Sequence, residues 1–201
     1  MFSGRHWPSE PGYDPDWWDK AARGGGGVLI DPGYHSLYLI EHFMGQPVES
    51  VVARAVSVEE GSEVDDLALT ILNHTGGGLS SVQVCWSVHG SSPNLVEVHG
   101  DEGTVRVGED QSIHLCSRQR DDWKVHYTPE ERPSFVHTYA EVLREFVAAI
   151  EGGRQPPHGL PVALHALAVI MAAYESERVG GAAVTVAEVE QPMNESNPRT
   201  I

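Results

Sequence analysis

A helix, then a long run of short strands, then two helices and a last strand predict an α+β fold: an open, predominantly antiparallel β-sheet with helices packed on one face. Three observations carry this. Apolar residues recur with a helical period between Asp31 and Gly45 and again past Pro133; they alternate with period two across the middle of the chain; and turn residues cut that middle into short pieces. At 201 residues, 40% of them hydrophobic, the chain is long enough to bury a core.

Residues 1–23 hold three Pro and three Trp with neither period, and read as an irregular aromatic arm. The first regular element is a helix headed by Asp31, with Leu37, Ile40 and Met44 on one stripe and Gly45 and Pro47 closing it. Strands follow at "VESVVARAVSV", "DDLALTILNHT" and, after three glycines, "LSSVQVCWSVHG". In the last of these Val82, Val84, Trp86 and Val88 share one face, which turns Cys85 away from the core. "NLVEVHGDEGTVRVG" predicts a hairpin, and "SIHLCS" and "WKVHY" two weaker strands, six or seven in one sheet. Phe135, Tyr139, Val142, Leu143, Phe146, Val147 and Ile150 then mark a helix, ended by "EGGRQPPHG". A further helix starts near Leu160, carries Leu164, Leu167, Met171 and Tyr174, and stops at Gly180 and Gly181, before "AAVTVAEVE" returns as a strand. Residues 24–190 thus form one domain, and 191–201 a flexible tail.

The net charge of −16, from 13 Lys and Arg against 29 Asp and Glu, contains no basic cluster. Nucleic acid and anionic membrane surfaces are therefore not expected partners, since both are bound by neutralising phosphate charge. Cys85 and Cys116 are too few for a disulfide framework, no signal-like segment opens the chain, and the longest apolar run falls short of a membrane span; a cytoplasmic protein is expected.

The stretch "RGGGGVLIDPGYHSLYLIEHFMG" invites a phosphate-loop reading. A dinucleotide loop needs a preceding strand and an acidic residue ending the next strand. Trp17 to Arg23 is not a strand, and Glu49 begins the next strand instead of ending it, so no cofactor-binding residue is assigned. The residues after the glycines say more. Asp31 and His35 are spaced i, i+4 and project from one helix face, where a carboxylate and an imidazole can work as a general acid/base pair. The plainer account of the same spacing is that Asp31 caps the helix and His35 is an ordinary histidine. His42 could join them as a metal ligand, but three residues along one helix do not converge, and no metal is expected. His126, His137 and His165, and the strand arginines Arg54 and Arg106, have weaker claims to a site.

"GGGVLIDPGYHSLYLIEHFMG" resembles the G-G-G-x-L-x-D-x-G-x-H-x-x-D segment of the Gfo/Idh/MocA oxidoreductases, through Gly25, Gly26, Gly27, Leu29, Asp31, Gly33, His35 and Gly45. "VEVHGDEGTVRV" is similar to that family's i-x-G-x-x-G-x-l hairpin, and the segment from Phe135 to Val186 resembles its closing helices and last strand. The resemblance implies the family's substrate-binding and oligomerisation domain, with Asp31 and His35 at its catalytic positions and Gly26, Gly27, Tyr34 and Tyr38 against the substrate. His35 would move the proton of a substrate hydroxyl as hydride passes to or from NAD or NADP. Two departures stand out. Tyr38 occupies the place of the family's second Asp, and the Rossmann domain with its glycine loop and catalytic lysine has no counterpart in these 201 residues.

Three functions fit these residues. The chain could be the substrate half of an NAD(P)-dependent oxidoreductase acting on a sugar, polyol or similar hydroxylated molecule, completed by a separate Rossmann subunit that binds the dinucleotide. It could be a nicotinamide-independent isomerase, lyase or hydrolase using Asp31 and His35. It could be a non-catalytic dimerisation module. Apolar residues on both sides of the strands, Val51, Ala53 and Ala55 or Leu67, Leu69 and Ile71, favour an oligomer formed through the sheet face.

Overall fold

The computed structural model describes residues 2–3, 14–86, 94–120, 122–130, 134–156 and 158–189. Trp7 of the expected arm and the expected tail at 191–201 lie outside them. The chain divides into two compact units, one of Met1–Ser91 with Ala163–Ile201 and one of Ser92–Val162.

In the first unit, β1 (Phe2–Ser3), the short helices α1 (Pro15–Trp18) and α2 (Ala21–Gly24) and the longer α3 (Pro32–Met44) precede β2 (Val48–Val56), β3 (Leu67–His74) and β4 (Leu79–Cys85). The sheet has the order β1-β4-β3-β2-β9, where β9 is Val184–Thr185; β1 runs parallel to β4 and every other neighbouring pair is antiparallel. Along β3 the alternation is clean: Ala68, Thr70, Leu72 and His74 are buried and Leu69, Ile71 and Asn73 exposed. The buried face joins Val51, Ala53, Val82 and Val84 in one cluster with Leu37 of α3 and Ala168, Val169, Ile170, Ala172 and Ala173 of the last helix, α5 (Leu160–Arg178). Ser176 fastens that helix to the sheet, accepting from the Ala53 amide at 2.9 Å and donating to the Ala182 carbonyl.

The second unit holds β5 (Asn94–Gly100), β6 (Gly103–Gly108), β7 (Ile113–Ser117) and β8 (Trp123–Tyr127), an antiparallel meander in sequence order, and α4 (Phe135–Glu151). Ser134 caps α4 through its side-chain oxygen, which accepts from the His137 amide at 3.2 Å. Arg106 bonds Glu97 at 2.8 Å and lies 4.0 Å over the Trp123 ring.

The α+β class and the order of elements from α3 onward match the sequence reading, with four differences, and the segment expected to be irregular contains α1 and most of α2. The strands form two sheets instead of one, because a period of two identifies strands without saying which partner each takes. Cys85 is buried, against the alternation of β4, where it lies between Leu67 of β3 and Ser3 of β1. In α5 the face turned inward is the small-residue one: Leu164 and Met171 are partly exposed, while the alanines let the helix lie close to the sheet. After Thr185 the expected strand gives way to a helical turn.

Candidate active site

The glycine stretch joins α2 to α3. Gly25 ends α2 in the left-handed conformation, φ +81°, that glycine adopts without steric cost. Gly26 and Gly27 are backed by protein. A Cβ on Gly26 would run into the Tyr174 phenol, and one on Gly27 into the Asp65 backbone carbonyl.

Asp65, which is buried, organises this turn. Its carboxylate accepts from the Gly27 amide and the Leu29 amide, each at 2.9 Å, and from the Tyr174 hydroxyl at 2.8 Å, while its carbonyl accepts from the Val28 amide at 2.8 Å. Burial, with the Asp65 charge second, pushes the Tyr174 phenol well above its ordinary value, so it remains a donor. Three consecutive amides that a phosphate loop would offer to a ligand are thus already bonded to Asp65, and a dinucleotide pyrophosphate does not fit here. Neither Asp65 nor Tyr174 stands out as part of this turn in the sequence: one is an acid among 29 acidic residues, the other lies on the far helix.

Val28 and Leu29 are fully buried and anchor the far end of the turn, so that α3 begins at a fixed place. Asp31 occupies the N-cap position and Pro32 the first helical one, where its missing N–H costs nothing. The Asp31 side chain makes no capping hydrogen bond, however. It is half-buried, and that burial raises its carboxyl above the usual range, against a smaller lowering by His35. Capping therefore does not account for this aspartate, and its carboxylate stays available beside His35 one turn on. Gly33 is buried, and a Cβ there would lie 3.2 Å from the Val28 carbonyl oxygen and from the Leu29 side chain, a tight fit.

His35 is exposed, with Nδ1 3.3 Å from the Tyr38 hydroxyl. Tyr34 packs edge-on against both, at ring-centre distances of 5.7 Å from His35 and 5.4 Å from Tyr38, and itself rests on the core cluster. Asp31, Tyr34, His35 and Tyr38 therefore form one patch at the start of α3, next to the glycine turn.

The other sequence candidates lie outside this patch. His165 pairs with Glu41 at 2.9 Å, His137 lies 3.8 Å from Glu141, and His126 is an exposed residue of β8. Arg54 bonds Glu177 at 2.7 Å, and Arg106 bonds Glu97. Among the described residues, no three His, Cys, Asp or Glu side chains are grouped to hold a metal.

Residues 1–186 match the family model of the Gfo/Idh/MocA oxidoreductases for the C-terminal alpha/beta domain. The chain belongs to this family. A D-apiose dehydrogenase from Rhizobium rhizogenes is 26% identical over 92 residues, which cover 44% of this chain and 26% of that protein. Levoglucosan dehydrogenase, solved with NADH and levoglucosan, superposes with a TM-score of 0.78 at 20% identity, covering 92% of this chain and 58% of its own. An aldose-aldose oxidoreductase from Caulobacter crescentus, solved with glycerol, gives 0.73 at 24%, covering 91% and 53%. At these identities the structural likeness is one of fold. This Gfo/Idh/MocA chain spans about half the length of those solved relatives, and no helix among its described residues is long and apolar enough to cross a membrane.

Proposed function

We propose that this chain is the substrate-binding half of an NAD(P)-dependent oxidoreductase acting on a sugar, polyol or similar hydroxylated small molecule. The observation that carries the reading is the Asp31 carboxylate, placed at a helix N-cap without capping, one turn from an exposed His35. In this reading His35 takes the proton from a substrate hydroxyl while the hydride leaves the adjoining carbon for the nicotinamide. Asp31 bonds a second hydroxyl and offsets the positive charge that His35 gains. Tyr34, Tyr38 and the backbone at Gly26 would line the substrate, with Gly27, buried on Asp65, holding that backbone in place.

In this reading a separate Rossmann subunit would hold the dinucleotide; the amides of the glycine turn, taken by Asp65, are not offered to it. Two further features support a larger assembly. The outer sheet face exposes Leu69, Ile71 and Leu79, which would join a second copy, and the apolar side of α4 is uncovered.

The test is to isolate the protein with whatever completes it, supply NAD+ or NADP+ with a panel of sugars and polyols, and follow nicotinamide reduction at 340 nm. Turnover that His35→Ala reduces by about 100-fold or more, the scale of general acid-base catalysis, supports the reading. Turnover of such compounds without nicotinamide would replace it with an isomerase, lyase or hydrolase, and full activity of His35→Ala would leave only a binding or dimerisation role.

A further inference from the structure

We propose that Tyr38 is a positioning residue for His35: its hydroxyl oxygen accepts Nδ1–H, which leaves the Nε2 lone pair as the atom that exchanges a proton with the substrate. The role of Nε2 rests on the function proposed above. So does the direction of the bond at Nδ1, while the 3.3 Å approach of Nδ1 to the Tyr38 hydroxyl stands without it.

Three residues of α3 carry the argument. The His35 ring has two nitrogens, and Nδ1 faces the Tyr38 hydroxyl at 3.3 Å. A ring flip would exchange that nitrogen for a carbon and lose the bond, while Tyr34 and Tyr38 both meet His35 edge-on at 5.7 Å between ring centres. Tyr34 in turn rests on the buried cluster, so this clamp is built on the core. With Nδ1 turned to the phenol, Nε2 is the nitrogen left for a ligand.

A tyrosine hydroxyl can either donate to an imidazole nitrogen or accept from it. If it donated, the neutral ring would carry its proton on Nε2 and could take none from a substrate there. Acceptance at Nδ1 instead keeps the Nε2 lone pair available. Burial, with Tyr34 adding to it, raises the Tyr38 phenol above its ordinary value, so the partner of His35 stays a neutral hydroxyl over the working pH range. Such a partner can hold the proton on Nδ1 without adding a second negative charge to that of Asp31.

The experiment is a ¹⁵N-edited NMR measurement of ring-nitrogen shifts and two-bond couplings in His35, at a pH where the ring is neutral and with neither cofactor nor substrate. Wild type is expected to show a protonated Nδ1 and an unprotonated Nε2. Tyr38→Phe, which keeps the ring and removes the oxygen, is expected to move the proton to Nε2, the form an unconstrained side chain favours. Tyr38→Asp, whose carboxylate only accepts, is expected to restore it to Nδ1. A wild-type ring protonated on Nε2 overturns the proposal, and so does a Tyr38→Phe spectrum identical to wild type. Should the Phe variant fail to fold, the wild-type spectrum still decides. The readout needs no turnover, so its failure is separate from that of the oxidoreductase reading.

Discussion

The two long helices, α4 and α5, treat their apolar residues in opposite ways. The 19 residues of α5 are apolar around most of the circumference, and the helix buries Ala166, Ala168, Val169, Ile170, Ala172 and Ala173. The 17 residues of α4 have a well-formed apolar stripe, yet Val136, Tyr139, Val142, Leu143, Phe146, Val147 and Ile150 are each between 50% and 80% exposed. At 100° per residue that stripe spans about 140°, the width of a helix laid on a layer, wider than the narrow seam between two paired helices. Periodicity thus reports that a helix has an apolar face. It does not report whether the same chain covers it.

The contrast can be broken at several points. The largest effect is expected at the turn that begins α3: Gly27→Ala drives a methyl group into the Asp65 carbonyl and should cost more than about 4 kcal/mol, read as loss of the cooperative urea transition. Next comes the inner face of α5, where Ile170→Ala removes a fully buried side chain and should lower stability by about 2–5 kcal/mol in the same assay. On α4, Phe146→Ala should change the stability of the chain by no more than about 0.5 kcal/mol. A cost of about 3 kcal/mol or more, as for a buried phenylalanine, would show that this chain covers α4 itself.

The smallest effect sharpens the picture at the site. Because the folded state holds the Asp31 carboxyl above its ordinary value of 3.8, ionising it opposes folding. That cost is absent below the unfolded value and fully present once the pH exceeds the raised one. Asp31→Asn should therefore raise the melting temperature slightly at pH 7 and leave it unchanged below about pH 3.8, the ordinary value. Exposure of half the group keeps the gain small. A fall in stability at pH 7 would mean that the carboxylate serves the fold.

What could be read in the sequence follows the same division. The bounds of α3 were legible because Pro32 and Gly45 punctuate a clear period, and the succession of strands along the chain because turn residues separate each piece. The buried face of α5 was not, because a helix apolar on nearly all sides gives period analysis nothing to choose between, and Leu164 and Met171 drew attention from the alanines that pack. At the candidate site, the neighbouring places of Asp31 and His35 were legible from local spacing. The role of Asp65 was not: it meets the glycine turn across 38 residues of sequence and Tyr174 across 109, contacts that only the folded chain makes. The four glycines, which suggest a phosphate loop, are explained at Gly26 and Gly27 by that contact.

The central claim, that Asp31 and His35 act together in one proton transfer, is tested most directly by a double-mutant cycle on kcat in the assembled, nicotinamide-linked enzyme. If the two residues work as a unit, Asp31→Asn and His35→Ala each lower kcat by about 100-fold or more, and the double variant is little worse than the poorer single one. Losses that multiply, or a His35→Ala enzyme that keeps its kcat, would contradict the account.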